Sequence, residues 1–167
     1  MHIIAGKAST CGQKNHNLLA GIAHASEESE VFVFFDSSHV LPPELLKNLL
    51  APVARGEADV VSGYHHVWPK QESVPAMGRA MTVLCMYMLQ ELPFATQPWG
   101  GNMAVTSKAF HELGVGDLWK EQLVDDVSLA WLLDRNKQKA LSVVEACQVT
   151  VVKDLDWGQW LFWLERQ

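Results

Sequence analysis

The chain has 167 residues, about half of them apolar, and a formal net charge of −6 with acids and bases mixed along its length. That is enough chain for one domain with a real core, and the charge argues against a binder of nucleic-acid backbone, which carries a basic stripe. Three cysteines, Cys11, Cys85 and Cys147, lie too far apart for a zinc site and point to a reduced setting, and no apolar run reaches the ~18 residues needed to span a bilayer.

In chain order, residues 2–5 (HIIA) read as a short buried strand, followed by the loop GKASTCGQK. Residues 17–25 place Leu18, Leu19, Ile22 and Ala23 at helical spacing. VFVFF at 31–35 is a continuous apolar run of the kind covered on both faces. Pro43 suits a first helical turn, and Leu45, Leu46, Leu49, Leu50 and Val53 then form one apolar face. Residues 58–62 read as the next strand, closed by Gly63. Strand, helix and strand in alternation imply an α/β fold with a mostly parallel sheet and right-handed crossovers.

Residues 65–74 read as a polar loop and 76–90 as a helix with Met77, Met81, Leu84 and Met88 on one side. The turn QPWGG introduces a strand at 102–105; 125–134 reads as a helix, and 141–144 and 149–152 as two strands. The end, DLDWGQWLFWLERQ, reads as an aromatic-rich helix.

Several residues attract attention on chemical grounds. Asp36 follows the strand at 31–35, where open α/β sheets place ligands. A carboxylate there suits a divalent cation that holds a diphosphate; it equally suits a strand-end aspartate bonded to its own turn. Asp125 and Asp126 open a helix, where they stabilise its N-terminus and where an ionised carboxylate is ready to accept a proton. PWGGN at 98–102 combines an indole that can stack on a sugar with glycines that admit close backbone approach, although a plain tight turn has the same composition. His65 and His66 read as a solvated pair. The tryptophans near the chain end suit a membrane interface or packing against a further part of the protein, and Arg166 suits either a diphosphate leaving group or the helix C-terminus.

Taken in order, KNHNLLAG, VFVFFDSSHVLP, ADVVSGY, PWGGNMAVTSKAF, LVDDVSLAWLL and WLERQ resemble the ceramide glucosyltransferase group, glycosyltransferase family 21, which is related to family 2. The resemblance implies a partial GT-A fold over residues 1–167, a single catalytic domain whose N-terminal family strands are missing. It implies transfer of a hexose from a UDP-sugar to a ceramide-like lipid hydroxyl with inversion. Asp126 matches the catalytic base and Asp125 its acidic neighbour. Asp36 matches the aspartate that holds a divalent cation, Mn or Mg, together with the diphosphate; Ser38 stands where family 2 carries a second acid. Lys14 and Asn17 match the flank of the nucleotide pocket, Gly100, Gly101 and Asn102 the loop near donor sugar and acceptor, and Arg166 the arginine of the terminal motif. In that motif Trp163 replaces the usual Gln or Arg, and Gln167 the usual Trp. The resemblance further implies a membrane-associated protein at the cytoplasmic face, contacting the membrane interface through its C-terminal aromatic helix, with transmembrane helices outside this segment and no nucleic-acid partner. The alternative expectation is a non-catalytic sugar-nucleotide- or lipid-binding module that keeps the fold.

Overall fold

Val31–Phe35 forms β1, the first strand of a four-stranded sheet with order β1-β3-β2-β4. The computed structural model describes residues 2–70, 72–90, 92, 95–152 and 156–165. The remaining strands are β2 (Val60–Pro69), β3 (Asn102–Thr106) and β4 (Leu141–Val152). The helices are α1 (Gln13–Ile22), α2 (Leu45–Ala54), α3 (Val74–Gln90), α4 (Ser107–Glu112), α5 (Val115–Trp119), α6 (Asp125–Arg135) and α7 (Trp157–Glu165).

The chain is therefore mixed α/β, a sheet flanked by helices, but its pairing differs from a mostly parallel sheet. β2 and β4 pair in parallel, while β3 lies antiparallel between β1 and β2. β1 and β2 still run the same way, as a strand–helix–strand crossover requires, with one strand's width between them. β3 fills that gap with Met103, Ala104 and Val105, all 0 % exposed. Ala104 faces Val33 on one side and Val61 on the other.

One face of the sheet buries Phe34, Met103 and Val105 against Phe110, Trp119 and Leu129. The opposite face packs Val61, Ala104 and Ala146 on Leu49 of α2. A third cluster, Tyr64, Val67, Val83, Tyr87 and Val152, joins α3 to the far ends of β2 and β4.

Three sequence expectations are corrected. Residues 2–5 form no strand: Ile4 is 87 % exposed, and side chains of α1 meet the nearby carbonyls, His16 at Ala5 and Gln13 at Gly6. Residues 65–69 are not a loop. They extend β2, pairing His65 with Gln148 and Trp68 with Val151. The two strands expected between 141 and 152 are one, with a register shift against Ser62–Tyr64. Gly63 sits at that shift, where a Cβ would collide with the Asn102 side chain. The short helices α4 and α5 were not anticipated. Thr106 caps α4, its hydroxyl accepting from Ala109 N at 3.1 Å, and Gly114, in the left-handed region at φ 71°, turns the chain into α5.

Candidate functional site

β1 delivers Asp36 to the sheet edge where β3 begins. Its backbone N–H donates to Gly101 O at 3.0 Å, so the strand end and the PWGGN turn are held together. Lys14 comes from the first turn of α1, and its Nζ lies 3.2 Å from Asp36 Oδ1 and 3.1 Å from Asp125 Oδ2. Burial works against the ammonium, but the attraction of Asp125 and then Asp36 outweighs it and holds the lysine pKa above its ordinary value.

The position of Lys14 depends on its neighbour Asn15, which sequence reasoning did not single out. Asn15 is 0 % exposed, and its amide donates to Gln122 O at 2.9 Å and Trp119 O at 3.3 Å. Gly12 N–H donates to Gln122 O at 2.9 Å, and a Cβ at Gly12 would collide with Leu123 O. The start of α1 is thus clamped to the segment that leads into α6. The sequence signal was a second asparagine one residue from the lysine. Asn17, the one expected to flank a pocket, is exposed and accepts from Gln13 Nε2 at 2.8 Å.

The adjacent acids of α6 diverge. Asp125 is 3 % exposed; burial, reinforced by the charge of Asp126, pushes its carboxyl pKa up against the opposing pull of Lys14. Asp125 O accepts from Trp119 Nε1 at 3.1 Å. Asp126 is more accessible, and its carboxylate accepts from Val127 N at 2.8 Å and from Gly100 N at 3.2 Å. Neither side chain caps the helix in the N-cap sense, since Val124 occupies that position.

The glycine pair is required by this convergence. A Cβ on Gly100 would overlap Asp125 Oδ2 and stand 2.8 Å from Lys14 Nζ; one on Gly101 would strike the Trp99 ring and come within 2.8 Å of Asp36 Oδ2. Gly101 O also accepts from Gln148 Nε2 at 2.9 Å. Asn102 plays a structural part. It is 0 % exposed, and its amide donates to Ala146 O at 2.7 Å and Tyr64 O at 3.2 Å, bracing three strands.

A cavity of about 370 Å³ opens beside Asp36, between the sheet and α3. Asp36, Ser38 and His39 form one side, with Trp99, His65 and Arg79 among the others. His65 stacks on Trp99 with ring centroids 5.1 Å apart, and His39 meets both rings edge-on. Burial, then the charges of His39 and Arg79, lower the His65 pKa to about 3, so the ring is neutral; it hydrogen-bonds to the Thr150 hydroxyl. His39 is lowered too, by burial against the opposing effect of Asp36. Arg79 lies over the Trp163 ring, 4.8 Å from its centroid. The sequence reading took His65 for solvated because it took its strand for a loop, and it did not consider Arg79. Arg166 lies outside the described residues.

The donor set for a divalent ion is spare. Asp36 supplies one carboxylate, one oxygen of which is already paired with Lys14. Ser38 Oγ lies 3.4 Å from His39 Nδ1, and among the described residues no three of His, Cys, Asp and Glu are grouped to hold an ion. Such a set fits an ion that arrives on a diphosphate and keeps its own waters, as magnesium does in nucleotide sites, with one protein carboxylate completing its shell.

No family model matches the chain, and no curated protein matches it. Among solved structures it is similar to one described as the crystal structure of a mycobacterial protein, at 19 % identity and a TM-score of 0.46. The alignment covers 89 % of this chain and 47 % of that one, so the chain spans about half that protein's length.

Proposed function

We propose that the chain is the catalytic segment of an inverting glycosyltransferase of GT-A type, moving a hexose from a UDP-sugar to a lipid hydroxyl. The observation that carries this reading is the meeting of Asp36 and Asp126, ninety residues apart in sequence, on the two sides of the Gly100–Gly101 turn. Two acids meet on one turn, and one of them, Asp36, lines a cavity with an aromatic wall, an arrangement that supports sugar transfer.

In this reading the sugar lies against Trp99 and its diphosphate near Asp36, where Lys14 and Arg79 are the cationic side chains at hand. Asp36 would hold a divalent ion carried on the diphosphate, and such an ion would supply charge neutralisation at the leaving group. Asp126, held by two backbone N–H groups, accepts the acceptor's hydroxyl proton. The freed oxygen pair bonds to the anomeric carbon from the face opposite the diphosphate. The bond from that carbon to the diphosphate oxygen breaks, and UDP leaves with its electrons. The aromatic lining keeps water from the donor. Arg79, which lines the cavity, adds a second cation beside the leaving diphosphate. On the outer surface, Trp157, Leu161 and Phe162 of α7 and Met77, Met81 and Met88 of α3 are exposed, which supports contact with a membrane interface. No helix of the described residues is long and apolar enough to cross a membrane.

The test is labelled UDP-glucose with Mn or Mg and a ceramide acceptor. Labelled glycolipid is expected from the wild type, and none from Asp126→Asn, which still binds UDP. Turnover retained by Asp126→Asn rejects the base role. Two observations favour a second reading, a binding module without turnover: Lys14 already pairs with both acids it bridges, and Ser38 stands where a second acid is usual. That reading predicts UDP-sugar binding with no product under any metal.

A further inference from the structure

The transfer mechanism leaves Asp125 without a part, although it pairs with the same ammonium as Asp36. The two carboxylates that Lys14 bridges differ in access. The Asp36 side chain is 35 % exposed and lines the cavity, whereas that of Asp125 is 4 % exposed. Lys14 therefore has an outer acid at 3.2 Å and an inner one at 3.1 Å. The inner oxygen, Asp125 Oδ2, accepts no hydrogen bond from the described residues, so the ammonium is its balancing charge. A buried carboxylate without a counter-charge is costly, and Asp125 thus keeps the ammonium in place whatever happens at Asp36. The consequence falls on Asp36. An ammonium 3.2 Å from its Oδ1 repels a divalent ion that seeks the same oxygen. A diphosphate reverses that balance. Its negative charge attracts ion and ammonium alike, so Lys14 becomes a partner of the phosphate instead of a rival for Asp36.

We propose that Lys14, anchored by Asp125, is a specificity-determining residue that denies Asp36 to a free divalent cation and admits one carried on a nucleoside diphosphate. The buried acid holds the ammonium in reach, and the exposed acid is the ligand it guards. The geometry favours this over a salt bridge that only braces the fold: bracing needs the buried partner alone, whereas the second contact falls on the carboxylate that faces the cavity. The inference deepens the transferase reading by assigning how the cation is selected, and its test requires no sugar transfer.

The probe is manganese, first alone and then with UDP, the free ion being counted by electron paramagnetic resonance. Without UDP, the wild type and Asp36→Asn are expected to bind manganese alike up to about 1 mM, the weak end of oxygen-ligand sites. With UDP, the wild type is expected to take up more than Asp36→Asn. Lys14→Met is expected to bind manganese without UDP about tenfold more tightly than the wild type, a coupling of the size found between groups in contact. Adding Asp36→Asn to Lys14→Met should abolish that gain, which separates Asp36 from surface carboxylates. Should Lys14→Met fail to fold, the wild type still decides. Manganese alone is expected to leave the amide resonances of Gly100 and Gly101 sharp, and manganese with UDP to broaden them. Broadening by manganese alone, no gain of affinity in a folded Lys14→Met, or a gain that survives Asp36→Asn overturns the assignment. Exclusion by the wild type and its loss in Lys14→Met, with no uptake under UDP, removes the transferase reading and leaves the guard. Manganese bound at Asp36 of the wild type without UDP, with glycolipid formed, removes the guard and leaves the transferase.

Discussion

Replacing Lys14 with methionine keeps the aliphatic stem and removes the charge between Asp36 and Asp125. At 3.1 Å and an effective dielectric near 20, each pairing has a gross Coulomb energy of about 5 kcal/mol. The Lys14 side chain is 39 % exposed, so solvent screening and its own desolvation offset most of that. Exposed pairs are worth about 0–1 kcal/mol, and breaking a buried pair costs about 3–5 kcal/mol. With one partner, Asp125, almost wholly buried and the other pair half in water, a net loss of about 2 kcal/mol is expected, or about 4–8 °C in Tm for a chain of this size. The sign with pH follows from Asp125. Its folded pKa is raised, by burial first, so its contribution to stability is present below the unfolded value and lost as pH rises through the folded one. Without Lys14 the folded value moves higher still, and the penalty at pH 7 grows. Urea unfolding followed by tryptophan fluorescence should therefore show a larger loss for Lys14→Met at pH 7.5 than at pH 4.5. In the Asp125→Asn background the same change should cost at least about 1 kcal/mol less, a coupling of the size expected for groups in contact. An equal loss at both pH values, or full additivity with Asp125→Asn, refutes the reasoning.

Gly100→Ala inserts a methyl where Asp125 Oδ2 and Lys14 Nζ stand, and overpacking of that kind costs about 1–3 kcal/mol. Urea unfolding should show that loss and the transfer assay a drop of more than tenfold. Gly21→Ala, in α1 with open space around it, should instead stabilise by about 0.5–1 kcal/mol and leave transfer unchanged. His65, lowered to about 3 and neutral in the fold, contributes stability that is fully present above its unfolded value of about 6.5 and lost as pH falls towards 3. After discounting for partial exposure, about 2 kcal/mol of acid sensitivity is expected, and thermal melts of His65→Gln between pH 7 and pH 4 should show a correspondingly shallower decline.

The reading of local elements followed from side-chain periodicity where one face of an element meets the core. VFVFF is apolar throughout because both faces of β1 are covered, by Phe110 and Trp119 on one side and by α2 on the other. The helix after Pro43 and the helix opened by Asp125 show their apolar stripes plainly. GYHHVW misled because its alternation is carried by tyrosine, histidine and valine, polar enough to read as a loop when the parallel partner β4 is not known. The strand 2–5 misled in the opposite sense: an apolar run marks a strand only where another strand lies beside it to take its hydrogen bonds.

For the site, Lys14, Asp36, Gly100, Gly101, Asp125 and Asp126 were all singled out from sequence, and the fold brings these six to one place. Arg79, His65 and Tyr87, which complete the cavity wall, were legible only once α3 was laid across the far ends of β2 and β4. Asn15, of which nothing was expected, turns inward while Asn17 is exposed, because a helix turns about 100° per residue and only packing decides which side faces inward.

What the amino-acid order determined by itself is local: which stretches are helical or extended, and where acids and glycines fall relative to their ends, since those depend on near-neighbour sterics and hydrogen bonds. What only the tertiary structure decided is long-range: the insertion of β3 between β1 and β2, the burial of Asp125 beside an accessible Asp126, and the pairing of both Asp36 and Asp125 with a single ammonium. Those outcomes depend on which surfaces are removed from water together, and burial is a property of the assembled layers that no single segment carries.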